Sequence, residues 1–462
     1  MKYKTVYDII KKGHLHQKSR EKNMEKRSQK RRNRTVLHII SKPVGFFKNY
    51  TQWSNRTFII VLLLIVVLSM LLTLLLETSL GTSLTSGDSA VLQQESRSRE
   101  NQKGAEQETS ARIMAHGDLL YHDIIYFSAK QEDGSYDFHE NFDYVKPWFK
   151  KADLVIGDFE GTINQNYNLA GYPLFNAPVE VMDAIKDAGY QVLDLAHNHI
   201  LDSQLEGVIS TADTIEKAGI TPIGVYTHEP RDKAPLVIKE VNGIKIALLA
   251  YSYGFNGIEE YISPEDYNHY LSDLNEDKMR AEIERAEKEA DITIIMPQMG
   301  IEYQLDPTEE QKNLYHKMIG WGADIIFGGH PHVVEPAEIL EKDGDKKLII
   351  YSMGNFLSNQ RIETMQDVEN AKWTERGVLM DLTIKKKAGK TTIETAEAHP
   401  TWVNRTSKGT YSPDGYLLYL YQTYILEDFI EGGPHRDKLD EETKERIDTA
   451  YKEMKEFVGL KW

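Results

Sequence analysis

The 462-residue chain contains no cysteine. That excludes disulfides and thiolate metal ligands, so any folded domain must stand on its own packed core. Internal repeats are also lacking. Long apolar runs are nearly so: only residues 57–76 (TFIIVLLLIVVLSMLLTLLL) pass twenty positions without a charge. At about 1.5 Å per residue such a run spans the roughly 30 Å hydrocarbon core of a bilayer. No A-x-A cleavage pattern follows it, and 56 residues is too long an n-region for a signal peptide. We therefore expect 57–76 to be a retained transmembrane helix.

Charge is distributed unevenly. Residues 1–56 hold 16 basic and 3 acidic side chains, a net of +13. The whole chain is −16 and the apolar run is neutral, which leaves −29 for 77–462. Basic flanks stay in the cytoplasm, so the expected topology is N-terminus inside and C-terminal domain outside the cell membrane. The basic segment 26–34 (KRSQKRRNR) reads as a topology signal that also attracts anionic lipid, at about 1 kcal/mol per charge. The tail has no recognisable nucleic-acid-binding fold, so no nucleic-acid partner is expected. Residues 77–110 are rich in Ser, Thr, Gln and Glu and read as a disordered, solvated linker. Extended, it would reach about 110 Å; as a coil it would average about 30 Å.

From Ala111 the pattern changes. Short apolar runs at 112–116, 154–157, 192–196, 244–251, 292–296, 325–328 and 348–352 read as strands and alternate with amphipathic helices. In 204–218, Leu205, Val208, Ile209, Ala212 and Ile215 share one face, and Ser203 with Glu206 fits a capping box. Hairpins are expected over 233–252 around Asn242-Gly243 and over 377–398 around Ala388-Gly389. Such alternation with hairpins predicts an α/β fold with mixed sheets. The main domain is assigned to 111–405. Residues 406–462 are expected to form a helical extension packed on it, with the aromatic stretch 416–430 helical.

Five of the strands run into polar residues of metal-ligand type: Gly117-Asp118, Asp158-Phe159-Glu160, His197-Asn198-His199, Pro297-Gln298-Met299-Gly300 and Gly329-His330-Pro331-His332. Polar groups gathered at the carboxyl ends of strands are where open α/β sheets bind ligands. Each motif alone has a bland reading: a turn Asp, a helix-capping Asp, a hydrogen-bonded loop His. The ordered set of five is harder to obtain by chance. In the last motif a proline stiffens the backbone between two histidines, and Gly328-Gly329 is expected to turn tightly. Imidazole, carboxylate and amide oxygen together suit Mn, Fe or Zn.

These motifs resemble those of the CapA/PgsA family of bacterial capsule, or poly-γ-glutamate, synthesis proteins. The resemblance also draws on Leu201-Asp202, Gly300-x-Glu302-Tyr303 and Tyr351-Ser352-Met353-Gly354-Asn355-Phe356. It covers roughly 112–405 and implies a four-layer calcineurin-like metallophosphoesterase fold, two stacked mixed sheets flanked by helices. It further implies that Asp118, Asp158, Asn198, His330 and His332 are metal ligands, with Asp158 in the bridging position. His199 would be a general acid that protonates a leaving oxygen. Glu160, His197, Gln298, Glu302 and Asn355 would support the site. Implied partners are a membrane-bound capsule ligase, a small integral membrane subunit and the anionic polymer itself.

The sequence departs from the pattern at three places, one of them His197, where the family has the first asparagine of Asn-Asn-His. Leu120 stands where the wider superfamily has a histidine, with His122 nearby at another spacing, and Gln298 stands where the family usually has histidine. Three readings stay open: an accessory protein of capsule polymer synthesis and export, a metal-dependent phosphoesterase or polymer hydrolase, and a surface binding or adhesion module.

Overall fold

The computed structural model describes residues 108–412 and 415–462. The basic tail 1–56, the span 57–76 and nearly all of the linker lie outside the described residues. Among the described residues no helix is long and apolar enough to cross a membrane.

Among the described residues fourteen strands form two mixed sheets. The first has the order β14-β13-β12-β1-β2-β3-β4, with β11 beside β1. Its members are β1 (Thr109–Leu119), β2 (Leu154–Phe159), β3 (Val192–Asp194), β4 (Thr221–Ile223), β11 (Asn355–Leu357), β12 (Arg376–Lys387), β13 (Lys390–Tyr411) and β14 (Leu417–Ile425). The second has the order β5-β6-β7-β8-β10-β9. It comprises β5 (Val237–Val241), β6 (Ile244–Ser252), β7 (Ile292–Gln298), β8 (Ile325–Phe327), β9 (Val334–Lys342) and β10 (Asp345–Met353). In the second sheet the parallel strands β6, β7, β8 and β10 lie between antiparallel β5 and β9; in the first, β1 to β4 run parallel out to the β4 edge and antiparallel β12, β13 and β14 extend the other side.

The layering follows from strand alternation. Ala111, Ile113 and Ala115 of β1 pack with Ile246, Leu248 and Ala250 of β6 and with Ile294 and Met296 of β7, between the sheets. Their neighbour Met114 packs outward, against the helices Val181–Ala188 and Gln204–Lys217. Ala247, Leu249 and Ile295 face the other way, against the helices Glu276–Glu289 and Glu309–Trp321. The period of two therefore produces four layers: helices, sheet, sheet, helices.

Several expectations need correction. Residues 417–425 form a strand, not a helix: tyrosine, Thr423 and Ile425 favour a pleated, half-buried surface, and β13 offers an open edge to pair with. Tyr421 and Ile425 pack into the core beside the first sheet. The boundary at 405 falls inside β13, so only the helix Glu441–Val458 matches the expected helical extension. The linker boundary shifts as well, because β1 already begins at Thr109. The helix at 204 has no capping box. The Ser203 hydroxyl pairs instead with Thr162 Oγ1 at 2.7 Å, and Glu206 accepts from Asn166.

Candidate functional site

The parallel strands of both sheets deliver their carboxyl ends to one place. β1 brings Asp118; β2 brings Asp158 and, one residue beyond its end, Glu160. The turn after β3 brings His197, Asn198 and His199, β7 ends on Gln298, and the loop after β8 brings His330 and His332. Asn355 opens β11 beside Asp118. All of these side chains are buried. Of the supporting residues expected from the sequence only Glu302 is exposed. It lies on the loop after β7, close enough for its charge to act on Glu160 and His332.

The GHPH loop closes on this cluster with unusual backbone. A Cβ on Gly328 would lie 1.9 Å from the Tyr351 carbonyl oxygen, so only glycine lets β8 end against β10 there. The positive φ angles fall on the histidines, not on the two glycines: His330 at +95° and His332 at +58°. Tyr303 on the neighbouring loop has φ +65°. Each such residue costs on the order of 1–3 kcal/mol and persists only where its surroundings hold it.

The hydrogen bonds show which atoms are committed. His332 Nδ1 lies 2.9 Å from Asp118 Oδ2, 3.2 Å from Asn355 Oδ1 and 3.8 Å from Glu160 Oε2. Gln298 Nε2 donates to Asp158 Oδ2 at 3.0 Å. His199 Nδ1 lies 2.7 Å from Asp202 Oδ2, and the same oxygen accepts from the Phe175 N–H. His197 Nε2 accepts from the Gly161 N–H, a structural role.

Charge in the cluster is out of balance. Asp118, Asp158, Glu160 and Asp194 are buried together. Burial first, then neighbouring carboxylates, push Asp158 well up. Burial is also the main cause that lifts Glu160 to about 7 and Asp194 to about 8. Burial alone would depress His332, but Glu160 and Asp118 overcome it and raise it to about 10. His199 behaves alike: burial opposes its charge, and Asp202 with Glu160 outweighs burial and raises it. His330 has no such carboxylate, and burial lowers it to about 3.

These observations fit a cation. Asp118 Oδ1, Asp158 Oδ1, both Glu160 oxygens, Asn198 Oδ1 and His330 Nδ1 are buried without a hydrogen-bond partner. An unpaired buried acceptor is costly, and a divalent ion would satisfy several at once. Asp118, Glu160 and His332 can each offer a ligand atom, all within 4.8 Å of one another. Glu160 thus stands among the atoms best placed for an ion, although the sequence suggested only a supporting role. Gln298 donates to Asp158, so one oxygen of that carboxylate is already engaged by an amide.

Two residues that bear on the site were given no role from the sequence, although Asp202 stands in the Leu201-Asp202 motif. Asp202 orients His199 from three positions on. Asp194 sits within the buried strand β3 and accepts from the Ala196 N–H. The signal for Asp194 was its carboxylate in an otherwise apolar run (VLDLA). His122 is also close, feeling the charges of His332 and His199, but its Nδ1 accepts from the Asn359 N–H.

Residues 112–360, which hold every site residue named above, match the family described as bacterial capsule synthesis protein PGA_cap. The chain is 32% identical over 228 residues to the PGA biosynthesis protein CapA of Bacillus subtilis (strain 168), covering 47% of this chain and 57% of that protein. It is 31% identical over 228 residues to the capsule biosynthesis protein CapA of Bacillus anthracis, covering 47% and 54%. The chain spans about half the length of these curated relatives. A calcineurin-like phosphoesterase of Bacillus subtilis superposes with TM-score 0.38 at 16% identity, covering 64% of this chain and 91% of that one. That likeness is loose, and the two mixed sheets with flanking helices are read from the strand pairing itself.

Proposed function

The chain belongs to the bacterial capsule synthesis protein (PGA_cap) family, and from that premise we propose that it is a membrane-anchored, extracytoplasmic accessory protein of capsule polymer synthesis and export. The polymer proposed is poly-γ-glutamate, after the printed name of one relative. A single observation carries the reading: the matched residues 112–360 contain the whole buried cluster. The apolar run 57–76 supplies the proposed anchor, and the −29 of 77–462 would repel an anionic product. Screening limits that repulsion to about 8 Å, so polymer contact would be local. A membrane-bound ligase and a small integral membrane subunit are the proposed partners.

In this reading Asp118, Glu160 and His332 hold one divalent cation, with Asp158, Asn198 and His330 beside it. The cation would supply Lewis acidity and charge neutralisation to a polymer or phosphoryl group. The chain's own contribution is a proton held at His199 by Asp202, and Glu302 at the approach. The His199–Asp202 pair favours a second reading, a metal-dependent hydrolase acting on the same polymer or on a phosphoester. An adhesion role has less support, because Tyr421, Tyr424, Ile425, Leu426 and Phe429 of the aromatic stretch 416–430 are core.

The test is genetic. Deleting the gene should abolish surface polymer, and the full chain should restore it. A chain lacking 57–76 should restore none. Unchanged polymer after deletion would overturn the proposal.

A further inference from the structure

We propose that the C-terminal helix Glu441–Val458 sets the geometry of the buried cluster through Arg446, which is a positioning residue for Asn355, Tyr303 and His332. The proposal rests on the reading of Asp118, Glu160 and His332 as a cation site.

The argument starts from the strained backbone. Tyr303 and His332 both have positive φ, so something must hold them. The Tyr303 N–H donates to the Pro331 carbonyl at 2.8 Å, which couples the two loops. Two side-chain hydrogen bonds to Tyr303 come from one segment. Asn370 Nδ2 donates to the Tyr303 carbonyl at 2.8 Å, and Gln360 Nε2 donates to its hydroxyl at 3.3 Å. The same segment fixes Asn355, whose Nδ2 donates to Gln360 Oε1 at 2.9 Å and to the Thr374 carbonyl at 2.8 Å. Asn355 Oδ1 in turn faces His332 Nδ1 at 3.2 Å.

That segment, 358–375, has almost no regular structure of its own. Its anchor is Arg361, whose side chain is 3% exposed. The guanidinium donates to the Val403 carbonyl at 3.1 Å and to Glu363, and pairs with Glu375 at 3.3 Å. Arg446 reaches from the C-terminal helix to the same two carboxylates, at 2.8 Å to Glu363 and 2.7 Å to Glu375. Two arginines and two glutamates balance. Without Arg446, two carboxylates would face one guanidinium, and Glu363, 38% exposed, would move to water. Arg361 would lose a partner, and the segment that orders Asn355 and Tyr303 would loosen. The family match ends at residue 360, so this clamp lies entirely beyond it.

A control lies just before the same helix and pairs with it. Arg436 forms a two-pronged pair with Asp448, 2.7 Å on each arm, and touches neither Glu363 nor Glu375. The experiment uses the full chain in detergent, with Mn²⁺ titrated by calorimetry and amide exchange followed at Tyr303. Arg446→Ala should weaken Mn²⁺ binding at least tenfold and speed Tyr303 exchange at least tenfold. Arg436→Ala should change neither by more than about twofold. If Arg446→Ala does not fold, Glu363→Gln should shift both readouts in the same direction by about threefold. Wild-type values in these variants, or equal losses in Arg436→Ala, would overturn the proposal. If the wild-type chain takes up no Mn²⁺, the cation reading alone fails, and Tyr303 exchange still decides the positioning claim.

Discussion

His332 Nδ1 and Asp118 Oδ2 meet at 2.9 Å, and the contact joins the two sheets. Asp118 is the penultimate residue of β1 in the first sheet, and His332 follows β8 in the second. The cluster therefore forms only when both sheets are docked. Its carboxylates and imidazoles, 214 residues apart at this pair, report on the whole fold.

The hydrolase reading makes a kinetic demand on His199. With Asp202 fixing Nδ1, His199→Ala should lower Mn²⁺-dependent turnover of a generic phosphodiester by about 10²–10⁴-fold. Asp202→Asn should lower it less, because the imidazole remains. Turnover unaffected by His199→Ala, or none in the wild type, would rule out this chemistry.

A pH dependence of stability should arise at a histidine outside the cluster. His399 is buried beside Asp381 at 3.6 Å, Glu427 at 3.2 Å and Glu397 at 3.7 Å, under the Trp148 ring. Burial opposes its charge, but the carboxylates Asp381 and Glu427 raise it to about 9. A raised histidine stabilises the fold fully below its unfolded value of about 6.5, and that contribution is lost as pH rises through 9. Unfolding free energy should therefore fall by about 2 kcal/mol between pH 6.5 and 9. His399→Gln should flatten this window in denaturant titrations; an unchanged slope would contradict the assignment.

The C-terminal strands should be indispensable to folding. Stopping the chain after Arg405 removes β14 and the end of β13, leaving the rest of β13 an open edge. It also removes Tyr421, Ile425, Leu426 and Phe429 from the core. Burying such side chains contributes roughly 1.5–3 kcal/mol each, so the truncated chain should not fold. A soluble, cooperatively unfolding product would show that 406–462 is a separable extension.

How legible the molecule was in its sequence varied with the range of the interactions. The buried parallel strands stood out because they are apolar runs bounded by turns, and their polar ends marked the cluster. The strand Leu417–Ile425 was misread because apolar and aromatic residues fill every position but Gln422 and Thr423, so no period of two shows. Its pairing with β13 is decided only by tertiary context. Ser203 and Glu206 fit a capping pattern, yet each found a better partner, in Thr162 and Asn166. Glu160 appeared subordinate to Asp158 because its place beside His332 depends on a loop 170 positions away. The Arg361–Arg446 clamp left no local pattern, since Arg446 stands 83 positions from Glu363 and 71 from Glu375.

The most direct test of the account is the metal content of the purified full chain after dialysis against Mn²⁺, Fe²⁺ or Zn²⁺. One tightly held ion per chain is expected, lost in Asp118→Asn and His332→Ala while the fold persists. A folded wild-type chain that retains no ion, or variants that retain it equally, would contradict the claim that the buried cluster is a cation site.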